Sequence, residues 1–450
     1  MRQTDKPQGS RWLSRLGWLL YEVMAGGLCA LALPWLAVRR GGHYRPTLRP
    51  RLGLQGWGGS PRATPTEPPG AGGVWIHAVS VGEVGVAATL ARALPEALPL
   101  LVTTVTPTGQ ALARKVLGNR ARIAYFPFEI GWAVRRFVRR LAPRVLIVVE
   151  GDLWPLVLRE VHRRGILVAV VNGRMSDRNF GRLRRVRAVL GSLPGRLLLE
   201  PVDRFGAQTE VDAERWRRLG VPPERLKVTG NLKYETPEPP PVSPSLVEGL
   251  KRWAAGRSLL LAGSTMAGEE GAVLDALARL GTERALLVLA PRHPERCPEV
   301  VAQATAAGFR VALRSALTDG SPTDRMDLVV LDTLGELAGL YRLAVGAFIG
   351  GTLVPTGGHN PLEAARFSVP VVVGPSMHNF REMAGHFDAA AAWRRVADAA
   401  MLAEVWRQWL DDREGAAALG NRGRALIDAH RGAVERTVAL LEPLLEGIGG

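Results

Sequence analysis

The chain has 450 residues, 47% of them hydrophobic, and a formal net charge of +16 that is mostly arginine, since only five residues are lysine. That length provides for two or three domains and that apolar content for sizeable cores, which excludes a disordered chain. Two cysteines far apart, Cys29 and Cys297, exclude a disulfide framework and fit a reducing compartment.

The first element is an apolar run, Leu16–Val38, interrupted by Glu22 and flanked by Arg11, Arg15, Arg39 and Arg40. It is long enough to span a bilayer with some tilt, and no small-residue cleavage site marks it as a signal peptide. Trp12, Trp18 and Trp35 sit near its ends, as interfacial aromatics do, whereas Glu22, Gly26, Gly27 and Pro34 weaken a plain spanning helix. A membrane anchor is therefore expected over 1–42, either spanning or lying in the interface. Residues 43–73, rich in Gly, Pro and Arg, read as a linker.

From Val74 onward, short apolar runs alternate with helical segments: "VWIHAV", "LLVTTVT", "RIAYFPF", "RVLIVVE", "LVAVVNGR", "FGAQT", "KVTGN". Val/Ile/Leu-rich runs that end in turn residues are the signature of parallel strands buried on both faces. They predict a Rossmann-like domain over 74–235. The Pro-rich "ETPEPPPVSPS" marks a hinge, 236–246. A second series, "SLLLAGST", "ALLVLAPR", "RVALRS", "DLVVLDT", "VGAFIGGT", "VPVVVGP", predicts another such domain over 247–425, and helical sequence closes the chain over 426–450. The fold class is α/β, two doubly wound domains facing a cleft, with ligands outside the carboxyl ends of the strands.

The loops after those strands carry the candidate chemistry. In the second half, "AGSTMAGEE" offers Ser264 and Thr265 before a helix, as phosphate ligands or as N-caps. "APRHPER" offers Arg292, whose planar fork suits a phosphodiester, and His293; His293 lacks a second ligand at metal spacing, so no metal site is read. "DTLGEL" places Thr333 and Glu336 at capping-box spacing around Gly335, with backbone N–H groups that can hold part of a nucleotide. "GGTLVPTGGHNPLEAA" is the strongest signal: Gly357 and Gly358 precede His359, Asn360 and Glu363 at a helix start, where backbone can approach a phosphate and Glu363 can bond a ribose diol. No P-loop and no G-x-G-x-x-G after a first strand is present. In the first half, Glu83 of "SVGE" and Glu150 of "EGDLWP" fall on the cleft side, as general base and orienter. Two structural alternatives stand beside them. Ser80 and Glu83 have capping-box spacing, and Glu150 can pair with an arginine such as Arg174.

Taken in order, "SVGE", "TPTG", "NGRMS", "GNLKYE", "AGST…GEE", "PRHPER", "DTLGEL", "GGHNPLEAA" and "GPSMHNF" resemble the Kdo (3-deoxy-D-manno-octulosonic acid) transferases of lipopolysaccharide biosynthesis. The resemblance runs from about Trp75 to about Phe380, and the N-terminal anchor matches as well. It implies a GT-B fold and inverting, metal-independent transfer of Kdo from CMP-Kdo to a lipid A precursor, with no cofactor and with Glu83 as base. It places the donor mainly on the second domain and the enzyme at the inner membrane, with the catalytic domains on the cytoplasmic face. The arginine excess then serves anionic lipids rather than nucleic acid, for which no motif is present. Lys233 of "GNLKYE", and Arg174, are candidates for the Kdo carboxylate or an acceptor phosphate. Departures from the pattern are Met266 and Ser376, where many members have His, and "EGDLWP" for the commoner "ETELWP". Two rival readings remain: a GT-B enzyme on a UDP-sugar, and a non-catalytic lipid-binding protein.

Overall fold

The computed structural model describes residues 17–18, 21–22, 24, 26–27, 41–54, 72–235, 238–316 and 325–448. The chain divides into two units, residues 1–236 with 432–450, and residues 237–431.

The first unit is built on seven strands: β1 (Val74–His77), β2 (Leu100–Thr104), β3 (Arg122–Tyr125), β4 (Val145–Val149), β5 (Leu167–Gly173), β6 (Arg204–Ala207) and β7 (Leu226–Val228). They form one parallel sheet in the order β3-β2-β1-β4-β5-β6-β7. The two-residue period of a strand sends alternate side chains to opposite faces, and each face has its own core. Val74 and Ile76 of β1, with Val145, Ile147 and Val149 of β4, join one cluster. Trp75, Leu146 and Val148, between them in sequence, join the other. The first cluster also takes Leu441 and Leu444 from the helix Ala433–Leu445. The carboxylate of Glu235 fixes the start of that helix by accepting the N–H groups of Ala433 and Val434.

The second unit has β8 (Ser258–Thr265), β9 (Ala285–Pro291), β10 (Val311–Leu313), β11 (Leu328–Val330), β12 (Gly346–Ile349), β13 (Val371–Val373) and β14 (Trp393–Arg395), again parallel, in the order β10-β11-β9-β8-β12-β13-β14. Each sheet therefore reverses its winding once, between β1 and β4 in the first unit and between β8 and β12 in the second. A crevice for ligands opens beyond the carboxyl ends of the strands at such a switch point. The loops after β1, β4, β8 and β12 border these switch points.

The segment expected as a linker is not all linker. Its first part is a helix, Gly41–Arg51, held by tertiary contacts: Arg51 Nε donates to the Phe126 carbonyl at 3.1 Å and its guanidinium lies 4.2 Å from the centre of the Phe128 ring. Most of the expected anchor lies outside the described residues. No helix among the described residues is long and apolar enough to cross a membrane. Glu22, the carboxylate that interrupts the apolar run, accepts from Arg159 at 2.7 Å, and the same guanidinium lies over Trp18.

Candidate active site

In the first unit the switch-point loops bring three carboxylates together. The helix Val81–Ala93 starts at Ser80. Glu83 sits in its first turn, 6% exposed. Its Oε2 accepts from the Val79 backbone N–H and its Oε1 from the Ser80 hydroxyl, both at 2.8 Å. This differs from a capping box. Ser80 makes no side-chain bond to the helix N–H groups and donates to the carboxylate instead. The same carboxylate lines a pocket of about 440 Å³ together with Glu150, Asp152, Arg174, Arg182 and Arg187. The helix-facing and pocket-facing readings of Glu83 therefore describe one placement. Burial raises its pKa to about 7, with Glu150 and then Asp152 pushing the same way against the bonds from Val79 and Ser80.

Glu150 follows β4 with a left-handed backbone, φ 60°, and Gly151 after it has φ 105°. Its carboxylate pairs with Lys233, so the arginine partner expected for it is corrected. Arg174 instead donates its backbone N–H to the Glu150 carbonyl at 3.1 Å, and its charge opposes the burial that raises the pKa of Asp152. The pairing follows from how Lys233 is carried. Asn172, wholly buried at φ 53°, accepts the Leu232 N–H on Oδ1 at 2.9 Å, and Asn231 Oδ1 accepts the Lys233 N–H at 3.1 Å. Lys233, a candidate for a substrate anion, is thus engaged by Glu150.

In the second unit, Ser264 and Thr265 do not precede a helix directly. Both lie within β8, where Ser264 has φ 60° and the register with β9 slips; the next helix, Glu270–Leu280, starts five residues beyond Thr265. Thr265 is wholly buried, its Oγ1 has no hydrogen-bond partner among the described residues, and its carbonyl accepts the Arg292 N–H at 2.9 Å. Arg292 and His293 follow β9 directly. They meet the loop after β12 electrostatically. Burial, then the charges of Arg292 and His293, push His359 down to about 4, so its imidazole is neutral near pH 7. Burial raises the carboxyl of Glu363 while Arg366 and Arg292 oppose it.

The rest of that loop is bonded internally. Gly357 N–H donates to Ser376 Oγ at 3.1 Å and Gly358 N–H to the Gly351 carbonyl at 2.7 Å. A Cβ on Gly357 would fall 2.4 Å from Asn379 Nδ2. Asn360 Oδ1 accepts the Leu362 N–H at 3.1 Å, at the start of a single helical turn, Leu362–Ala365. Ser376, one of the departures, thus supports the glycine turn. Glu336 is held by Arg314, at 2.8 and 3.1 Å, and by the Thr333 hydroxyl, next to Gly335 at φ 86°. The residues missed in the sequence are His359, read only as part of a helix start, and Glu269 and Glu270, quoted in a motif without a role. Among the described residues no group of three His, Cys, Asp or Glu is placed to hold a metal.

Comparison with known proteins supplies the family. The family model described as 3-deoxy-D-manno-octulosonic-acid transferase (kdotransferase) matches residues 46–236. The chain is 34% identical to the 3-deoxy-D-manno-octulosonic acid transferase of Bordetella pertussis, covering 95% of this chain and 99% of that protein. It is 33% identical to the Haemophilus influenzae protein of the same name, covering 90% and 92%. The UDP-GlcNAc 2-epimerase of Neisseria meningitidis, solved with UDP-GlcNAc, superposes with a TM-score of 0.54 at 13% identity, covering 82% of this chain and 99% of that one. That likeness shows the fold alone: two parallel-sheet α/β domains of the kind found in GT-B glycosyltransferases and related epimerases. With relatives of such identity aligned over nearly their whole length, the chain belongs to the 3-deoxy-D-manno-octulosonic acid transferase family.

Proposed function

We propose that this protein transfers Kdo from CMP-Kdo to a lipid A precursor of the lipid IVA type, with inversion and without a metal, using Glu83 as general base. The observation that carries the reading is the state of Glu83, a buried carboxylate with a pKa near 7 on the wall of a pocket that also presents arginines. A sugar hydroxyl ionises far above neutral pH, so its proton must leave as the new bond forms. The acceptor oxygen attacks the anomeric carbon of Kdo while the bond from that carbon to the CMP phosphate breaks. The bonding pair leaves with the phosphate and the proton goes to Glu83. A single displacement of this kind inverts the centre. Arg292 stabilises the charge gathering on CMP, and His359, neutral near pH 7, adds a hydrogen-bonding group beside it without adding charge.

Arg174, Arg182 and Arg187 on the pocket wall suit the phosphates of the acceptor. Its acyl chains require a membrane surface. The helix Asp177–Leu190 beside the pocket has no buried residue, carries Arg178, Arg182, Arg184, Arg185 and Arg187, and exposes Val189 and Leu190. Basic and apolar groups together favour an anionic bilayer. We place the protein at the cytoplasmic face of the inner membrane, with the N-terminal run as its anchor. The test is incubation of the purified full-length protein with CMP-Kdo and a tetraacylated lipid A precursor, reading product mass. A gain of one or more Kdo units with equivalent CMP release is expected. Release of UDP from a UDP-sugar, with no product from CMP-Kdo, would refute the reading.

A further inference from the structure

Two adjacent carboxylates in the second unit, Glu269 and Glu270, are 0% and 1% exposed. A buried carboxylate persists only when its oxygens are bonded, and each of these is bonded to a different loop. Glu269 Oε1 accepts the N–H groups of Thr352 and Leu353, both at 2.7 Å. Its Oε2 accepts those of Gly351 at 2.6 Å and of Met266, in its own loop, at 2.9 Å. Successive backbone N–H groups form an anion-binding nest, and at Gly351–Leu353 the anion is supplied by the chain. Glu270 takes Arg296 on both oxygens, Nη1 at 2.6 Å and Nη2 at 3.4 Å. Arg296 closes the short helical turn Pro294–Arg296 that follows Arg292 and His293.

One dipeptide therefore ties together the loops after β8, β9 and β12. The grip at Gly351 extends further, because the Gly351 carbonyl accepts the Gly358 N–H and so sets the glycine turn before His359 and Asn360. The approach is tight. A Cβ on Gly350 would lie 2.3 Å from the Ser264 carbonyl oxygen.

We propose that Glu269 and Glu270 are positioning residues for the donor. Glu269 sets the loop that carries His359 and Asn360, and Glu270, through Arg296, sets the loop that carries Arg292. This rests on the reading that these loops receive CMP-Kdo. Neither carboxylate touches the reacting atoms. In Glu269→Gln one acceptor oxygen is replaced by an NH₂ that confronts N–H donors, so the loop after β12 must move. In Glu270→Gln the bidentate hold on Arg296 is lost.

The test uses the full-length protein with both substrates and separates the two Michaelis constants. For each variant kcat/KM for CMP-Kdo should fall by roughly 10- to 100-fold, the scale of a small misplacement of binding groups, with the loss mainly in donor KM and with acceptor KM unmoved. Amide hydrogen exchange should accelerate over 350–360 in Glu269→Gln and over 290–297 in Glu270→Gln. Should Glu269→Gln not fold, Glu270→Gln carries the test alone, since its partner Arg296 is only partly buried and keeps a second partner in the exposed Glu299. A lower melting temperature with donor KM at the wild-type value in the folded variants means that the carboxylates are structural caps, and overturns the proposal alone. Absence of CMP-Kdo turnover by the wild-type protein overturns the proposed function and this inference with it.

Discussion

Replacing Glu150 by Gln changes the charge beside Glu83 without removing Glu83, and its effect can be worked from the site. Lifting the Glu83 carboxyl from its ordinary 4.5 to about 7 weights the neutral acid over the carboxylate by about 3 kcal/mol. Burial is the largest cause and Glu150 the second, so Glu150 contributes less than burial does. Glu150→Gln should therefore lower the acidic limb of the kcat/KM profile from near pH 7 by up to about one pH unit. Lys233, paired with Glu150 in the wild type, would then press in the same direction. Lys233→Met should do the opposite, because it leaves Glu150 uncompensated and raises the limb. The assay is the initial rate of CMP release from CMP-Kdo between pH 5.5 and 9, with circular dichroism to verify folding. Two limbs that stay in place, or that move the same way in both variants, would refute the electrostatic account of Glu83.

Glu83→Gln should retain CMP binding and lose turnover by about 10²-fold or more, as expected for removal of a general base; near-normal turnover rules out the assignment. The same variant has a stability signature. A carboxyl whose pKa is raised on folding makes the native state bind more protons than the unfolded one between about 4.5 and 7, so native stability falls as pH rises through that window. Glu83→Gln removes this loss, and chemical denaturation should show it gaining on the wild type between pH 5 and pH 8. Arg292→Lys keeps the charge but loses the planar fork; donor KM should rise by about tenfold with the pH limb unmoved, and an unchanged KM argues against phosphate binding there. Asn172→Ala leaves the Leu232 N–H unpaired and puts at φ 53° a residue that tolerates the left-handed region less well than Asn; urea unfolding should show a loss of about 2–4 kcal/mol.

Much of this architecture is legible in the sequence, and the losses have physical reasons. All seven strands of the first sheet fall in segments singled out in the sequence, and central ones such as β4 and β5 stand out as Val/Ile/Leu runs because both faces of the sheet are covered there. In the second sheet β14 does not, because an edge strand of only Trp393, Arg394 and Arg395 has no apolar pattern to show. Glu83 and Glu150 are legible as strand-end carboxylates, but the choice of Lys233 over Arg174 is not. It depends on Asn172 and Asn231 holding a turn some 60 residues from Asn172. The partners of Glu269 in the loop after β12 lie 82 to 84 residues away, and a carboxylate neutralised by backbone N–H groups leaves no complementary residue for a sequence reading to find.

The helix Ala433–Leu445 has a consequence for how the molecule is made. Ala433, Leu441 and Leu444 belong to the core under β1 and β4, yet the ribosome supplies them only after the whole of 237–431 has emerged. One face of the first sheet must wait, incompletely covered, through the synthesis of another domain. Its exposed apolar surface in that interval is a natural substrate for chaperones. Nascent chains arrested before residue 432 should be protease-sensitive across β1–β4, even when the second unit has already folded.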